Sequence, residues 1–257
     1  MKKARTLSDQ IEAKLLYQLM FGKYRLERRL PPETEIAKDF GVSRNALRSS
    51  MSVLERAGYI SRKRGVGTIV NQHVLDIQTR IDFSDTFAKI LKSTGKEPSC
   101  SYFKMEVEQV KPSVAKQLHI AEGSNVWCIS RVMNAGDKPA VYCRDYVASD
   151  NIECLTKEDR EESALRSTFD LLIEAEEPEI QMAVTEISAM AADEALVRLC
   201  GLEPGEPVLY MEAVHYTLKG KPLFVSQEHY MNDLSHMTIV RSKIYMEDDK
   251  DDGKARQ

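Results

Sequence analysis

The sequence predicts an α+β chain of two unequal domains, a small helical one followed by a larger mixed one. Three observations carry that expectation. Residues 1–72 hold 15 Lys and Arg against 7 Asp and Glu, whereas residues 73–257 hold 21 against 33. Apolar residues recur at helical spacing through the first 57 positions, and beyond residue 100 alternating runs interleave with short helical patterns. Finally, 257 residues exceed one average domain and fall short of three.

The charge split is the first functional clue. A module of net +8 on a body of net −12 suits a chain of which one part meets a polyanion, because phosphate contacts release condensed counterions. With 42% hydrophobic residues the chain can bury a core, yet nothing approaches the ~20 apolar residues of a membrane span. The basic start, Met1 to Leu7, lacks the apolar segment of a secretory signal, so a cytoplasmic location is expected. Five cysteines, Cys100, Cys128, Cys143, Cys154 and Cys200, include no Cys-x-x-Cys pair, which argues for buried thiols over disulfides or a zinc knuckle. No cofactor is expected.

In the first domain Ile11, Leu15, Leu16, Leu19 and Met20 mark an amphipathic helix from Leu7 to Phe21. Leu30-Pro31-Pro32-Glu33 opens a second helix reaching about Phe40, with Glu33 and Glu35 at its positive end. Gly41 ends it and Ser43 caps a third, Arg44 to Ala57, so that two helices joined by Gly41-Val42-Ser43 make a helix-turn-helix. On the third helix Leu47, Met51 and Leu54 share one side, and Arg44, Asn45 and Arg48 fall on the adjacent arc near its start. Arg suits guanine and Asn suits adenine as bidentate partners at ~1–3 kcal/mol of discrimination each, although an isolated helix would carry such charges merely as solvated surface. Tyr59-Ile60 and Thr68-Ile69-Val70 read as short strands around the basic tip Ser61-Arg62-Lys63-Arg64-Gly65-Val66-Gly67.

These residues carry a resemblance. Leu30-Pro31-Pro32-Glu33, Phe40-Gly41-Val42-Ser43-Arg44, Leu47-Arg48, Leu54-Glu55, Gly58-Tyr59-Ile60 and Arg64-Gly65-x-Gly67-Thr68 resemble the winged helix-turn-helix domain of GntR-type regulators across residues 7–71. The resemblance implies that Ser43, Arg44, Asn45, Ala46 and Arg48 lie on double-stranded operator DNA, with Arg64 and Gly65 in the wing. Thr34, Lys63 and Gly67 complete the expected DNA-facing set; Thr34 stands where the family often has a basic residue, and Asn45-Ala46 where it commonly has Thr or Met-Thr.

The polar stretch Asn71 to Arg80 reads as a linker, giving expected domains at 1–71 and 83–243 with the linker at 72–82 and an acidic, disordered tail at 244–257. Helices are expected over Phe83–Lys92, Val114–Leu118, Ser163–Ala175 and Ala192–Cys200. Strands are expected over Ser101–Val110, Val126–Val132, Pro139–Val147, Gln181–Met190, Val208–Leu218 and Leu223–Tyr230. A duplication shows through: Leu118-x-Ile120-x-x-Gly123-x-x-Val126 and a hairpin at Lys138-Pro139 recur as Gly201-Leu202-x-x-Gly205-x-x-Val208 and Lys221-Pro222, although two ordinary hairpins also share such turn chemistry.

This half looks like a UTRA effector domain, found in the HutC branch of GntR regulators and similar in fold to chorismate lyase. By that resemblance Arg131, Ser167, Phe169, Phe224 and Tyr230 surround a small-molecule effector. A guanidinium, a hydroxyl and a phenol suit an anion. Met133, Phe169 and Phe224 stand where sugar-phosphate-sensing relatives carry Arg, Tyr and Glu, so the pocket is expected to be more apolar and an organic acid or amphipathic metabolite fits as well as a phosphosugar. Arg131 equally suits a structural salt bridge, Ser167 a plain helix start and Tyr230 a core position.

Competing readings are an enzyme or a ligand-binding adaptor built on the chorismate-lyase-like domain. The first lacks a Gly-x-Ser-x-Gly elbow, a phosphate-binding loop or His-Glu-x-x-His, and the second leaves the Arg44-Asn45-Arg48 arc without work. The expected protein is a DNA-binding transcriptional regulator, a homodimeric repressor matching a palindromic operator, with ligand changing the separation of its DNA-reading heads through the linker.

Overall fold

The computed structural model describes residues 6–77, 80–82, 90–92, 95–148, 162–168, 172, 180–231 and 237–241. Two compact units divide the chain, one of residues 1–82 with 238–257 and the other of residues 83–237.

The first unit begins with α1 (Leu7–Met20), whose capping box joins Thr6 and Asp9 reciprocally: Asp9 N donates to Thr6 Oγ1 at 3.2 Å and Thr6 N to Asp9 Oδ2 at 3.0 Å. α2 (Glu33–Phe40) ends at Gly41, whose φ of 67° is a left-handed cap that a side chain would strain. Ser43 then accepts from Ala46 N at 3.2 Å and starts α3 (Arg44–Arg56). Leu47, Met51 and Leu54 are buried against Ile11, Leu15, Leu19 and Ile36, so three helices share one core. Antiparallel strands β1 (Ile60–Lys63) and β2 (Gly67–Val70) form the wing. Its base is widened by the residues before α2, where Leu30 N donates to Thr68 O at 2.9 Å and Val70 N to Arg28 O at 3.1 Å.

The expected linker is less free than its polarity suggested. Gln72–Leu75 form a short helix, α4, whose Val74 and Leu75 are buried; a four-residue turn is too short for periodicity to reveal. Further on, Arg80 donates to the Ala57 carbonyl at 2.8 Å, pairs with Asp82 and lies 5.0 Å over the Tyr59 ring. Ile81 N donates to Thr238 O at 3.0 Å, and Val240 lies beside Gly58. Both connecting stretches therefore converge on the C-terminal end of α3.

The second unit is a six-stranded antiparallel sheet in the order β3-β4-β5-β8-β7-β6. Its strands are β3 (Pro98–Gln109), β4 (Asn125–Ala135), β5 (Lys138–Ala148), β6 (Ile180–Ala191), β7 (Pro207–Thr217) and β8 (Pro222–Tyr230). Helix α5 (Pro112–Leu118) joins β3 to β4, and α6 (Glu194–Cys200) joins β6 to β7. Strand, helix and hairpin thus occur twice, and the copies meet where β5 pairs with β8, in keeping with the duplication read from the sequence. Both helices cover one sheet face: α5 buries Val114, Ala115 and Leu118 against Cys128, Tyr146 and Val225, and α6 buries Leu196 and Cys200 against Val132 and Tyr142. The other face carries Ile129, Val147 and Phe224 beneath Leu172. Burying each such aliphatic side chain contributes about 1.5–3 kcal/mol.

Helix-end chemistry differs between the copies. After α6 the chain turns through Gly201 at φ 67°, and after α5 through His119 at φ 55°. Only glycine takes that backbone without a Cβ clash. His119→Gly is expected to stabilise the protein by about 0.5–1 kcal/mol in urea unfolding, and unchanged or lowered stability would mean that the imidazole contributes contacts of its own.

One expectation on this unit changes. The helix expected over residues 163–175 is interrupted: Glu162–Leu165 form a 3-10 turn, Arg166 and Ser167 break it, and Thr168 resumes. At this break the Arg166 carbonyl accepts from Arg131, as described below. Of the helix expected over residues 83–92, only its end at 90–92 lies among the described residues, and the tail at 244–257 lies outside them.

Candidate nucleic-acid interface and ligand site

The N-terminal end of α3 presents Ser43, Arg44, Asn45 and Arg48 to solvent, with Ala46 half-buried behind them and Thr34 exposed on α2. Arg44 is 63% exposed, held loosely by Glu33 at 3.4 Å. Lys63, Arg64, Gly65 and Gly67 are exposed on the wing, and among the described residues Arg48, Lys63 and Arg64 make no ion pair. Gly65 and Gly67 take φ of 79° and 98°, the left-handed backbone that closes so tight a tip. Unneutralised cations on an exposed arc and an adjacent finger are what a phosphate-lined groove requires.

One wing cation behaves differently from its sequence neighbours. Arg62 donates to Glu55 Oε2 at 2.7 Å and Ser52 Oγ at 2.8 Å, and its backbone N donates to Glu55 Oε1 at 2.8 Å. Burial alone would raise the Glu55 carboxyl, but these bonds outweigh it and hold the group below the usual carboxylate value. Arg62 thus fastens β1 to α3 and sets the wing angle. Nothing in the run Arg62-Lys63-Arg64 separates this role from its neighbours'; only strand alternation hints that Arg62 faces opposite to Lys63.

In the second unit, strand register gathers the polar residues. Arg131, Cys143 and Glu228 lie directly across from one another on β4, β5 and β8, and Ile129, Asp145 and Ser226 form the next row on the same face. Tyr230 and Phe224 flank these rows along β8. Arg131 is 1% exposed. Its Nη1 donates to the Arg166 carbonyl, its Nη2 to Thr168 Oγ1 at 3.1 Å, and Asp145 Oδ2 lies 3.7 Å away. Thr168 in turn donates to Asp145. The structural salt bridge left open by the sequence is therefore present, and Asp145 and Thr168 are partners that sequence reasoning missed. Ser167 is buried next to Thr168, Phe224 stacks on His215 at 4.0 Å, and Phe169 lies outside the described residues.

Charge on this face is costly. Burial raises the Asp145 carboxyl, with Arg131 and Thr168 drawing it partly back. Glu228, which accepts from the Tyr230 hydroxyl at 2.7 Å, is pushed up to about 7 by burial; Tyr230 and Ser226 lower it and Asp145 raises it. Burial also pushes His215 down to about 3, leaving a neutral imidazole whose Nε2 lies 3.0 Å from Ser226 Oγ.

Glu228 faces Cys143, Arg131 and Asp145 from β4 and β5, Met211 from β7, and Ser226 and Tyr230 on its own strand. Its folded value of about 7 lies above the ordinary 4.5, so the folded chain holds this proton more tightly than the unfolded chain. That contribution is complete below about 4.5 and lost as pH rises through about 7. Relative to Glu228→Gln, the wild type is expected to lose up to about 3 kcal/mol of stability between pH 5 and 8, read from paired denaturant titrations. A pH-independent difference would refute the assignment.

A basic winged helix joined to this duplicated sheet is the architecture of a two-domain, DNA-binding regulator. The UTRA domain family matches residues 93–235, and the family described as "Bacterial regulatory proteins, gntR family" matches residues 7–70. The chain belongs to the UTRA-domain branch of the gntR-type regulators. It is 27% identical over 242 residues to the HTH-type transcriptional regulator Rv0792c of Mycobacterium tuberculosis, covering 91% of this chain and 84% of that one. To the HTH-type transcriptional repressor NagR of Bacillus subtilis it is 25% identical, covering 87% and 90%. The crystal structure of the possible transcriptional regulator YydK from Bacillus subtilis has the same fold at a TM-score of 0.73 and 20% identity, covering 93% of this chain and all of that one. The protein is a DNA-binding transcriptional regulator with an effector domain. Among the described residues no helix is long and apolar enough to cross a membrane, and no cluster of His, Cys, Asp and Glu has the arrangement of a metal site.

Proposed function

We propose that this regulator is a cytoplasmic repressor that binds a two-fold operator as a homodimer and is released when a small molecule occupies the UTRA unit. One observation carries the DNA side of the reading: Ser43, Arg44, Asn45 and Arg48 stand exposed at the start of a helix whose other face is the core, beside a wing bearing Lys63 and Arg64. Repression is the function named for the Bacillus subtilis relative NagR. Release follows if ligand favours a setting of the chain at Arg80 and Thr238 that moves the end of α3, because a ligand shifts only the equilibrium whose states it binds unequally.

The dimer reading is supported by β6. This 12-residue edge strand leaves Met182, Val184 and Ile187 at 58%, 58% and 49% exposure. A long edge with apolar residues on both faces invites pairing with another strand, and a second copy satisfies it with two-fold symmetry. Val184→Lys with Ile187→Lys is expected to convert the dimer to monomer in sedimentation and to weaken operator binding about 100-fold or more, since two linked half-sites become one. A variant that stays dimeric removes β6 from the interface; a monomeric variant with undiminished operator affinity removes the two-fold operator.

A further inference from the structure

The polar face of the UTRA unit holds a buried carboxyl group, Asp145, a half-buried one, Glu228, and one guanidinium. Asp145 and Arg131 already face each other at 3.7 Å, and Arg131 Nη1 and Nη2 donate to the Arg166 carbonyl and to Thr168. Arg131 Nε has no hydrogen-bond partner among the described residues although the side chain is 1% exposed. A buried N–H without an acceptor is an unmet demand of about 1–3 kcal/mol.

Glu228 is the second carboxyl, and its surroundings differ from those of its neighbours. Phe224, Ser226 and Tyr230, which share its face of β8, are all buried, whereas Glu228, at the centre of the same row as Arg131 and in a strand flanked by β5 and β7, keeps accessible surface. The described side chains therefore leave part of Glu228 uncovered. Among the described residues its carboxyl makes no ion pair, and Arg131 faces Asp145 instead.

We propose, on the reading that this unit is the effector domain, that its ligand carries a protonated nitrogen set against the Glu228 carboxylate and a hydrogen-bond acceptor that receives Arg131 Nε–H. The charges decide the sign. With Asp145 and Glu228 both ionised the three groups sum to −1, and with Glu228 protonated they sum to zero, so an added anion meets no net attraction and stands next to two carboxyls. A cation supplies what Glu228 lacks. The aromatic residues Phe224 and Tyr230 on the same face suit a cation further. The proposed cation departs from the anionic effector expected from Arg131, because that guanidinium faces Asp145 within the fold.

The test uses the full-length protein and thermal-shift assays followed by calorimetry. The amine probes are putrescine, agmatine and 4-aminobutyrate, and the anions are succinate, inorganic phosphate and glucose 6-phosphate. At about 5 mM, at least one amine is expected to raise the Tm and all three anions to leave it unchanged. Binding of that amine should weaken about tenfold or more in Glu228→Gln and stay unchanged in Gln227→Ala, which alters the opposite sheet face. Stabilisation by an anion without any amine, silence of all six, or equal amine affinity in Glu228→Gln overturns the proposal. An amine that binds through Glu228 yet leaves operator affinity unchanged sinks the effector reading while the ligand class stands; an anion that binds and releases operator does the opposite.

Discussion

Alanine at both Arg44 and Arg48 is expected to lower the preference for operator over unrelated duplex by roughly 30- to 20,000-fold while leaving the protein folded. The magnitude follows from two bidentate base contacts of about 1–3 kcal/mol each. Folding is spared because both side chains are exposed and the core face of α3 consists of Leu47, Met51 and Leu54. Lys63 and Arg64 retain their charges in this variant, so affinity for nonspecific duplex at low salt should fall only modestly. Fluorescence anisotropy with operator and scrambled duplex at two salt concentrations separates these effects. Equal losses on both duplexes would make Arg44 and Arg48 phosphate contacts; no loss on either would remove α3 from the groove.

Arg131→Ala is expected to have the largest effect on stability, costing about 3–5 kcal/mol. The substitution leaves Asp145 buried without its cation and strips the Arg166 carbonyl and Thr168 hydroxyl of a donor. For a unit of this size the Tm should fall by roughly 6–20 °C. Replacing the pair together, Arg131→Met with Asp145→Leu, should recover most of the loss, because no unpaired charge then remains buried. If Arg131→Ala costs less than about 1 kcal/mol while the double variant costs more, the guanidinium is not a structural partner of Asp145. Reduced ligand binding by Arg131→Ala alone would not distinguish a ligand contact from a loosened fold, which is why Glu228 is the better probe.

What the sequence made legible follows from length and period. α1, α2 and α3 have caps at both ends or strong apolar stripes, and their bounds fall within one or two residues of expectation. Strands of the second unit were visible because they run to 9–12 residues with turn glycines between them. α4 escaped because Val74 and Leu75 make a single turn inside a polar stretch. Arg62 escaped because its partner, Glu55, lies on another element and cations of a basic run look alike.

The ligand face shows a subtler limit. Resemblance pointed to Arg131, but not to the Asp145 that neutralises it, since pairing across β4 and β5 depends on register. A signal was nevertheless present: Asp145 alternates in phase with Val141, Cys143 and Val147, and Glu228 with Phe224, Ser226 and Tyr230. An acid in phase with a buried strand face is either paired or functional. Read that way, β5 and β8 each carry an acid on a largely buried face.

The most direct test of duplex reading by α3 is selection of genomic DNA fragments by the full-length protein, sequenced alongside the Arg44→Ala, Arg48→Ala variant. Wild type should enrich fragments sharing a two-fold motif with half-sites about one helical turn apart, about 10 base pairs, and the variant should enrich none in common. Recovery of the same motif by both proteins would contradict the account.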